Sequence, residues 1–168
     1  MGIFTSAEFN SLEELFEYEL QDLLDAEHRL IDALPKLADK ASNPSLKQAL
    51  ENHLRESESH VERLEAIFEQ LGIETKRIKC EGIVGLVKEG DEVIDAEGDA
   101  NVLDAALIAA AQRAEHYEIA GYGTARSFAR QLGNEYAAQL LGRTLDEEKA
   151  VDRELTQIAE ASVNPSSV

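Results

Sequence analysis

Two glutamates, three residues apart, lie inside a long apolar helix, and they constrain the fold more than any other feature. Residues 102–114 are rich in Ala, Leu and Ile and contain no Gly or Pro, which favours a helix that continues through Glu115 and Glu118. Glu118 falls on the apolar stripe of this helix, and Glu115 lies about 60° away around the axis. An ionised carboxylate in an apolar interior is costly unless it is paired or binds a metal, so other helices must supply partners.

The composition indicates one all-α domain over residues 1–168. Only 3 Pro and 10 Gly interrupt a chain of 168 residues, whereas Ala, Leu, Glu, Gln, Lys and Arg are abundant. A hydrophobic fraction of 43% is sufficient for a substantial core in a domain of this length.

The charge of the chain limits its partners and its location. With 34 acidic and 16 basic side chains, the formal net charge is −18, which argues against binding to nucleic acid or to an anionic membrane surface. No stretch has the length of a membrane span, and the N-terminus does not resemble a signal peptide. Cys80 is the only cysteine, so an intramolecular disulfide is excluded and we expect a reducing, cytoplasmic compartment.

Capping signals divide the chain into four long helices. Ser11 and Glu14 have the spacing of a capping box, Asn43 precedes Pro44 at a second start, and Gly72 and Gly133 mark two ends. Pro35 is expected to kink the first helix without ending it, because the apolar period resumes after it. The predicted helices span about residues 11–41, 44–71, 99 or 101 to 132, and 134–163.

The remaining segments are expected to be an arm, a crossover and a tail. Residues 1–10 are predicted to form an N-terminal arm and residues 164–168 a flexible tail. Residues 72–99 begin with an extended stretch and then carry a short amphipathic helix. A crossover of this length lets the second and third long helices run parallel in a four-helix bundle.

Each long helix carries acidic residues near the middle of its apolar face or beside it, and the second helix adds two histidines. Glu56 lies on the flank of its stripe, so an outward position is its alternative. His53 is either a ligand or a hydrogen-bonding partner that orients Glu56, and Asp152 either binds directly or supports a ligand. Tyr122 is expected to fill the core, with a hydrogen bond to a ligand as its alternative. The candidate metal ligands are Glu27, His53, Glu56, His60, Glu115, Glu118, Glu148 and Asp152.

Several carboxylates in one core require cations or protons. Two carboxylates about 4 Å apart repel by roughly 4 kcal/mol at an effective dielectric constant near 20. Carboxylate oxygens with imidazole nitrogens suit iron or manganese, and a pair of such ions in a four-helix bundle resolves this repulsion. The sequence therefore predicts a di-iron carboxylate site, with manganese as a second choice of metal and pairing to His or Arg as the alternative without metal.

Three blocks resemble the YciF-type ferritin-like proteins, a family of bacterial stress-associated proteins. They are the His53-x-x-Glu56 segment, ALIAAAQRAEHYEIAGYGT in the third helix, and TLDEEKAVD from Thr144 to Asp152. The resemblance covers nearly the whole chain and implies a ferritin-like four-helix domain, a dinuclear metal centre, a homodimer and a part in stress response. The order His53-x-x-Glu56 is the reverse of the Glu-x-x-His pattern of ferritin-like helices, and Val151 stands where a second His would follow Glu148.

Two functions follow from these observations. The first is a metal-binding protein that handles iron, dioxygen or peroxide under stress. The second is a structural or interaction protein, a stable helical dimer whose carboxylate site is vestigial. Storage of iron in a cage is a weaker third hypothesis, because the sequence has no evident additional C-terminal helix.

Overall fold

The structure is a computed structural model, and it describes residues 8–168 as a helical bundle. Residues 8–168 contain five α-helices and no β-strand, which confirms the expected all-α class. The first seven residues of the predicted N-terminal arm lie outside the described residues. The helices are α1 (Leu12–Lys40), α2 (Pro44–Leu71), α3 (Glu81–Asp95), α4 (Ala100–Gln131) and α5 (Glu135–Ile158).

The ends of the long helices are set by the capping residues that the sequence contains. The side chains of Ser11, Asn43 and Asn134 accept hydrogen bonds from backbone N–H groups in the first turns of α1, α2 and α5. Asp99 caps α4 in the same way, which decides between Asp99 and Asn101. Gly72 follows α2 in the left-handed conformation (φ +67°), where a side chain would be strained. The expected continuation of α1 through Pro35 is confirmed.

The helices form two antiparallel hairpins that pack side by side. α1 packs against α2, α4 packs against α5, and the hairpins meet through the α1–α4 and α2–α5 pairs. Asp104, near the start of α4, accepts hydrogen bonds from the backbone N–H groups of Ser42 and Asn43 at the start of α2. The two helices therefore begin at the same end of the bundle and run parallel, as expected. The crossover helix α3 covers the groove between α1 and α4.

The interior consists of two apolar clusters with polar side chains between them. One cluster contains residues from Ala26 onward in α1 together with the first half of α4, and the other contains the first half of α1 with the second half of α4. Six buried glutamates and histidines between the clusters are called the buried polar layer here. They are Glu27, His53, His60, Glu115, Glu118 and Glu148. The position of this layer near the middle of all four long helices places every member far from the bundle ends.

The C-terminal end differs in detail from the prediction. The fourth long helix was expected to reach Val163, but α5 ends at Ile158 and a π-helical turn (Ala159–Val163) follows. The hydroxyl of Ser162 donates to the carbonyl of Ile158 (3.0 Å), and such side-chain bonds compete with regular helical pairing. Residues 164–168 begin with a 3-10 turn (Asn164–Ser166), which the predicted flexible tail did not include. Across residues 8–168, each helix is too short or too polar to cross a membrane.

Candidate metal centre

Four helices contribute to the buried polar layer because each carries its acidic or imidazole groups on the face that points inward. α1 contributes Glu27 and α5 contributes Glu148, each from the middle of its buried stripe. α2 contributes His53 and His60, which are seven residues apart and therefore lie two helical turns apart on one face. The layer is completed by Glu115 and Glu118 from α4, and all six side chains are at most 2% exposed.

The first potential metal-binding group joins α2, α4 and α5. One ligand atom from each of His53, Glu115, Glu118 and Glu148 lies within 4.8 Å of all the others. Nε2 of His53 is 3.2 Å from Oε1 of Glu115 and 3.9 Å from Oε2 of Glu148. A single cation at this position would have three carboxylates and one imidazole within reach.

The second potential group joins α1, α2 and α5 through Glu27, His60 and Glu148. Nδ1 of His60 lies 2.9 Å from Oε1 of Glu148 and 3.1 Å from Oε1 of Glu27. Glu148 belongs to both groups, so its carboxylate connects them.

Several atoms of the layer have no hydrogen-bond partner among the described residues. Both carboxylate oxygens of Glu118, one oxygen of Glu115 and both ring nitrogens of His53 are buried and lack an aligned donor or acceptor. Buried polar atoms in folded proteins nearly always have a partner, and an unpaired one costs about 1–3 kcal/mol. The donor set and its unpaired oxygens therefore fit a pair of divalent cations: four carboxylates carry the charge that two such ions neutralise.

Crowding of like charges shifts the protonation of the layer. Burial raises the pKa of Glu118 well above its ordinary value, and the nearby carboxylates of Glu148 and Glu27 raise it further. Burial also raises the pKa of Glu148 to about 8, although His53 and His60 oppose this effect. Without metal, the layer therefore holds protons at neutral pH that a free glutamate would have released.

The pKa values of the two histidines are also raised, but for a different reason. Burial lowers the pKa of His60, but the hydrogen bonds to Glu148 and Glu27 together with the negative charges of these two residues outweigh burial and raise the pKa to about 10. Burial likewise lowers the pKa of His53, and the charges of Glu115 and Glu148 outweigh it and raise the pKa well above its usual value. The histidines are therefore protonated partners of the carboxylates when cations are absent.

Three further residues fix the orientation of the layer. The hydroxyl of Tyr122 donates to Oε1 of Glu27 (2.5 Å), so this side chain both fills the core and supports a candidate ligand. Nε2 of His60 lies 3.1 Å from Oε2 of Glu147, and Arg63 pairs with the same carboxylate. If Nε2–H donates to Glu147, the lone pair of Nδ1 faces Glu27 and Glu148, which is the orientation that a metal ligand needs.

Glu147 and Arg63 were not identified by sequence reasoning. The periodicity of α5 directs Glu147 away from the buried stripe, and Glu147 is only partly buried. A usable signal was the position of Arg63, three residues after His60 on the same side of α2.

The structure keeps two predicted ligands outside both groups. The side chain of Glu56 is 43% exposed, and its Oε2 lies 3.9 Å from Nδ1 of His53. Asp152 is partly exposed and accepts a hydrogen bond from Gln112 (3.0 Å), with Nε2 of the exposed His116 at 3.3 Å. The other six predicted residues lie together, and metal binding by them stays a prediction.

Comparison with known proteins shows which chains resemble this one in sequence and in fold. The family model described as "Domain of unknown function (DUF892)" matches residues 11–167. Protein YciF of Escherichia coli (strain K12) is 46% identical over 155 residues, which cover 92% of this chain and 93% of YciF.

Solved structures of three other proteins have the same fold as this chain. The crystal structure of the Escherichia coli stress protein YciF aligns with a TM-score of 0.89, covering 93% of this chain and 99% of that one. YcfI of Rhodopseudomonas palustris, whose description suggests a structural role, is 40% identical, with a TM-score of 0.88 and the same coverage. A Xanthomonas campestris protein that is 21% identical (TM-score 0.72) covers 90% of this chain and 92% of that one, and shares the fold.

Proposed function

The chain belongs to the DUF892 family and is similar to the stress protein YciF, and we propose that it binds two divalent metal ions in its buried polar layer. The observation that supports this proposal best is the state of Glu118. Its side chain is fully buried, both of its oxygens lack a hydrogen-bond partner, and three other candidate ligands surround it. Cations would remove this unfavourable arrangement by converting repelling carboxylates into ligands.

The two groups assign the residues that would hold the ions. His53, Glu115, Glu118 and Glu148 would hold one ion, and Glu27, His60 and Glu148 the other. Metal binding would displace the protons that the raised pKa values of His60 and Glu148 retain at neutral pH. Tyr122 and Glu147 would keep Glu27 and His60 in position through their hydrogen bonds.

Iron is the metal that we propose, with manganese as the second choice. Oxygen-rich donor sets with one imidazole per ion suit both metals. Bound iron would supply exchange between Fe(II) and Fe(III) and a place for dioxygen or peroxide to react, which fits a part in stress response. The layer lies between two apolar clusters, so the protein itself contributes the exclusion of water from this chemistry.

Anomalous scattering at the iron edge tests the proposal directly. Crystals of protein purified without chelator and grown without added metal should show two peaks per chain, one in each group. Elemental analysis of the same preparation gives the metal content independently. Absence of both peaks, together with a melting temperature that a strong chelator leaves unchanged, would contradict the proposal.

A structural function is the second candidate, and one observation favours it. His53 and His60 already lie beside Glu115, Glu27 and Glu148, so protonated histidines partly neutralise the layer without metal. The relative YcfI is also described in structural terms. This function predicts a folded protein with no bound metal and no reaction with Fe(II) or hydrogen peroxide.

The family resemblance further leads us to propose a homodimer, and the single cysteine a cytoplasmic location. Light scattering of the purified protein tests the dimer and also distinguishes it from a cage. The charge of −18 argues against a nucleic-acid partner, which an electrophoretic shift assay checks.

A further inference from the structure

A narrow cavity lies between α1, the crossover helix α3 and α4. Its volume is about 30 Å³, which is enough for one small molecule. Its walls are almost entirely aliphatic and include Leu34, Val87, Ala111 and Ala114. The cavity therefore offers almost no hydrogen-bonding partner to an occupant.

The two polar residues that line the cavity, Asp91 and Glu115, differ in exposure. Asp91 belongs to α3 and is partly exposed, whereas Glu115 belongs to α4 and is 2% exposed. Glu115 is also a member of the first metal-binding group. Glu115 therefore borders both the cavity beneath α3 and the buried polar layer.

We propose that this cavity admits dioxygen to the buried polar layer and that α3 forms its outer wall. The proposal rests on the proposed function, since it names the small molecule that reaches the same site. Dioxygen is small and apolar, so it loses little on transfer into an aliphatic passage. Hydrogen peroxide would give up its hydrogen bonds to water, and a hydrated cation would lose its ligands, so both are disfavoured here.

A glycine keeps the passage open. Gly90 of α3 is buried and lines the cavity, yet a Cβ atom added to it would meet no atom within 4 Å. Glycine inside a helix costs about 1 kcal/mol relative to alanine, so an unfilled buried position needs another reason. Keeping this space free for a passing molecule is such a reason.

Gly85 provides a matched control on the same helix. It is exposed, it does not line the cavity, and a Cβ atom there also meets nothing within 4 Å. Substitution of either glycine therefore changes helix propensity equally, but only substitution of Gly90 fills the cavity.

Paramagnetic relaxation by dissolved dioxygen tests the proposal in metal-free protein. Under dioxygen pressure, the methyl protons of Ala111 (4% exposed) and Ala114 (8%) should relax faster than those of Ala138 (3%) and Val61 (9%), which have matching exposure in the other apolar cluster. Gly90→Leu should abolish this excess relaxation, Gly90→Ala should reduce it, and Gly85→Leu should leave it intact. The alanine variant keeps the test valid if the leucine variant does not fold.

The outcomes separate this proposal from the proposed function. Equal relaxation of the methyl protons at the cavity and in the other apolar cluster would contradict entry of dioxygen through the cavity. An excess relaxation that survives both Gly90 substitutions would do the same, whether or not metal binds. If no preparation contains metal, the proposed function fails while the relaxation data still decide whether dioxygen enters. In iron(II)-loaded protein, Gly90→Leu should slow the oxidation of iron by dioxygen while the iron content stays unchanged. If the substitution slowed only the oxidation of iron by hydrogen peroxide, the result would contradict a passage for dioxygen.

Discussion

Oε1 of Glu148 lies 2.9 Å from Nδ1 of His60, and neither side chain is measurably exposed to solvent. This pair couples α5 to α2 at mid-bundle. Since Glu148 belongs to both potential metal-binding groups, its contact with His60 links the protonation of one group to that of the other.

Glu118→Met should stabilise the metal-free protein. The substitution removes two buried oxygens that have no aligned hydrogen-bond partner, and it relieves the repulsion between Glu118 and the carboxylates of Glu148 and Glu27. We expect the free energy of unfolding to rise by about 1–3 kcal/mol, measured by chemical denaturation in the presence of a chelator. Glu154→Met, the same change at an exposed position of α5, should alter it by no more than about 0.5 kcal/mol. A less stable Glu118→Met protein would show that the carboxylate is stabilising without metal.

Glu148→Ala should remove both metal ions, because both groups depend on this side chain. Glu56→Ala and Asp152→Ala should retain the metal content of the unmodified protein, since both residues lie outside the groups. Elemental analysis of the purified variants measures the outcome, with circular dichroism confirming that each is folded. Loss of metal from Glu56→Ala as complete as that from Glu148→Ala would place Glu56 among the ligands.

The stability of the metal-free protein should fall as the pH rises from 6.5 to 8. The folded-state pKa of His60, about 10, exceeds its ordinary value of 6.5, so its contribution is complete below pH 6.5 and is lost as the pH rises toward 10. The pKa of Glu148 rises from 4.5 to about 8, so the folded state also binds this proton more tightly, and stability declines up to about pH 8. Both groups therefore act in the same direction across this window.

Melting temperatures at successive pH values measure this decline. His60→Gln should reduce the slope, whereas His116→Gln should preserve it, because the side chain of His116 is 69% exposed. Bound metal should flatten or reverse the slope, since metal ligands compete with protons. A flat profile in the metal-free protein would contradict the assigned protonation states.

Asp104→Ala should destabilise the fold by about 2–4 kcal/mol, because it removes two charged hydrogen bonds from a buried position. Asp104 accepts from the N–H groups of Ser42 (2.9 Å) and Asn43 (2.7 Å), and so joins α4 to the turn between α1 and α2. Chemical denaturation measures the loss, and Asp146→Ala on the exposed face of α5 is the control. Equal stability of the two variants would show that this contact does not hold the hairpins in register.

The sequence by itself determined the helices and the inward direction of most of the layer. Capping residues are local signals, so Ser11, Asn43, Gly72 and Asn134 set helix ends without reference to the rest of the chain. Periodicity is equally local, and it correctly placed Glu27, Glu118 and Glu148 on buried faces.

Tertiary structure alone decided which inward residues meet. Glu56 lies beside a buried stripe and Glu147 points away from one, yet the rotation of α2 and α5 about their axes left Glu56 43% exposed and brought Glu147 to His60. The cavity under α3 likewise depends on how the crossover settles on α1 and α4. One helix fixes the directions of its own side chains, but their distances to another helix depend on rotation, axial shift and packing, which no local pattern encodes.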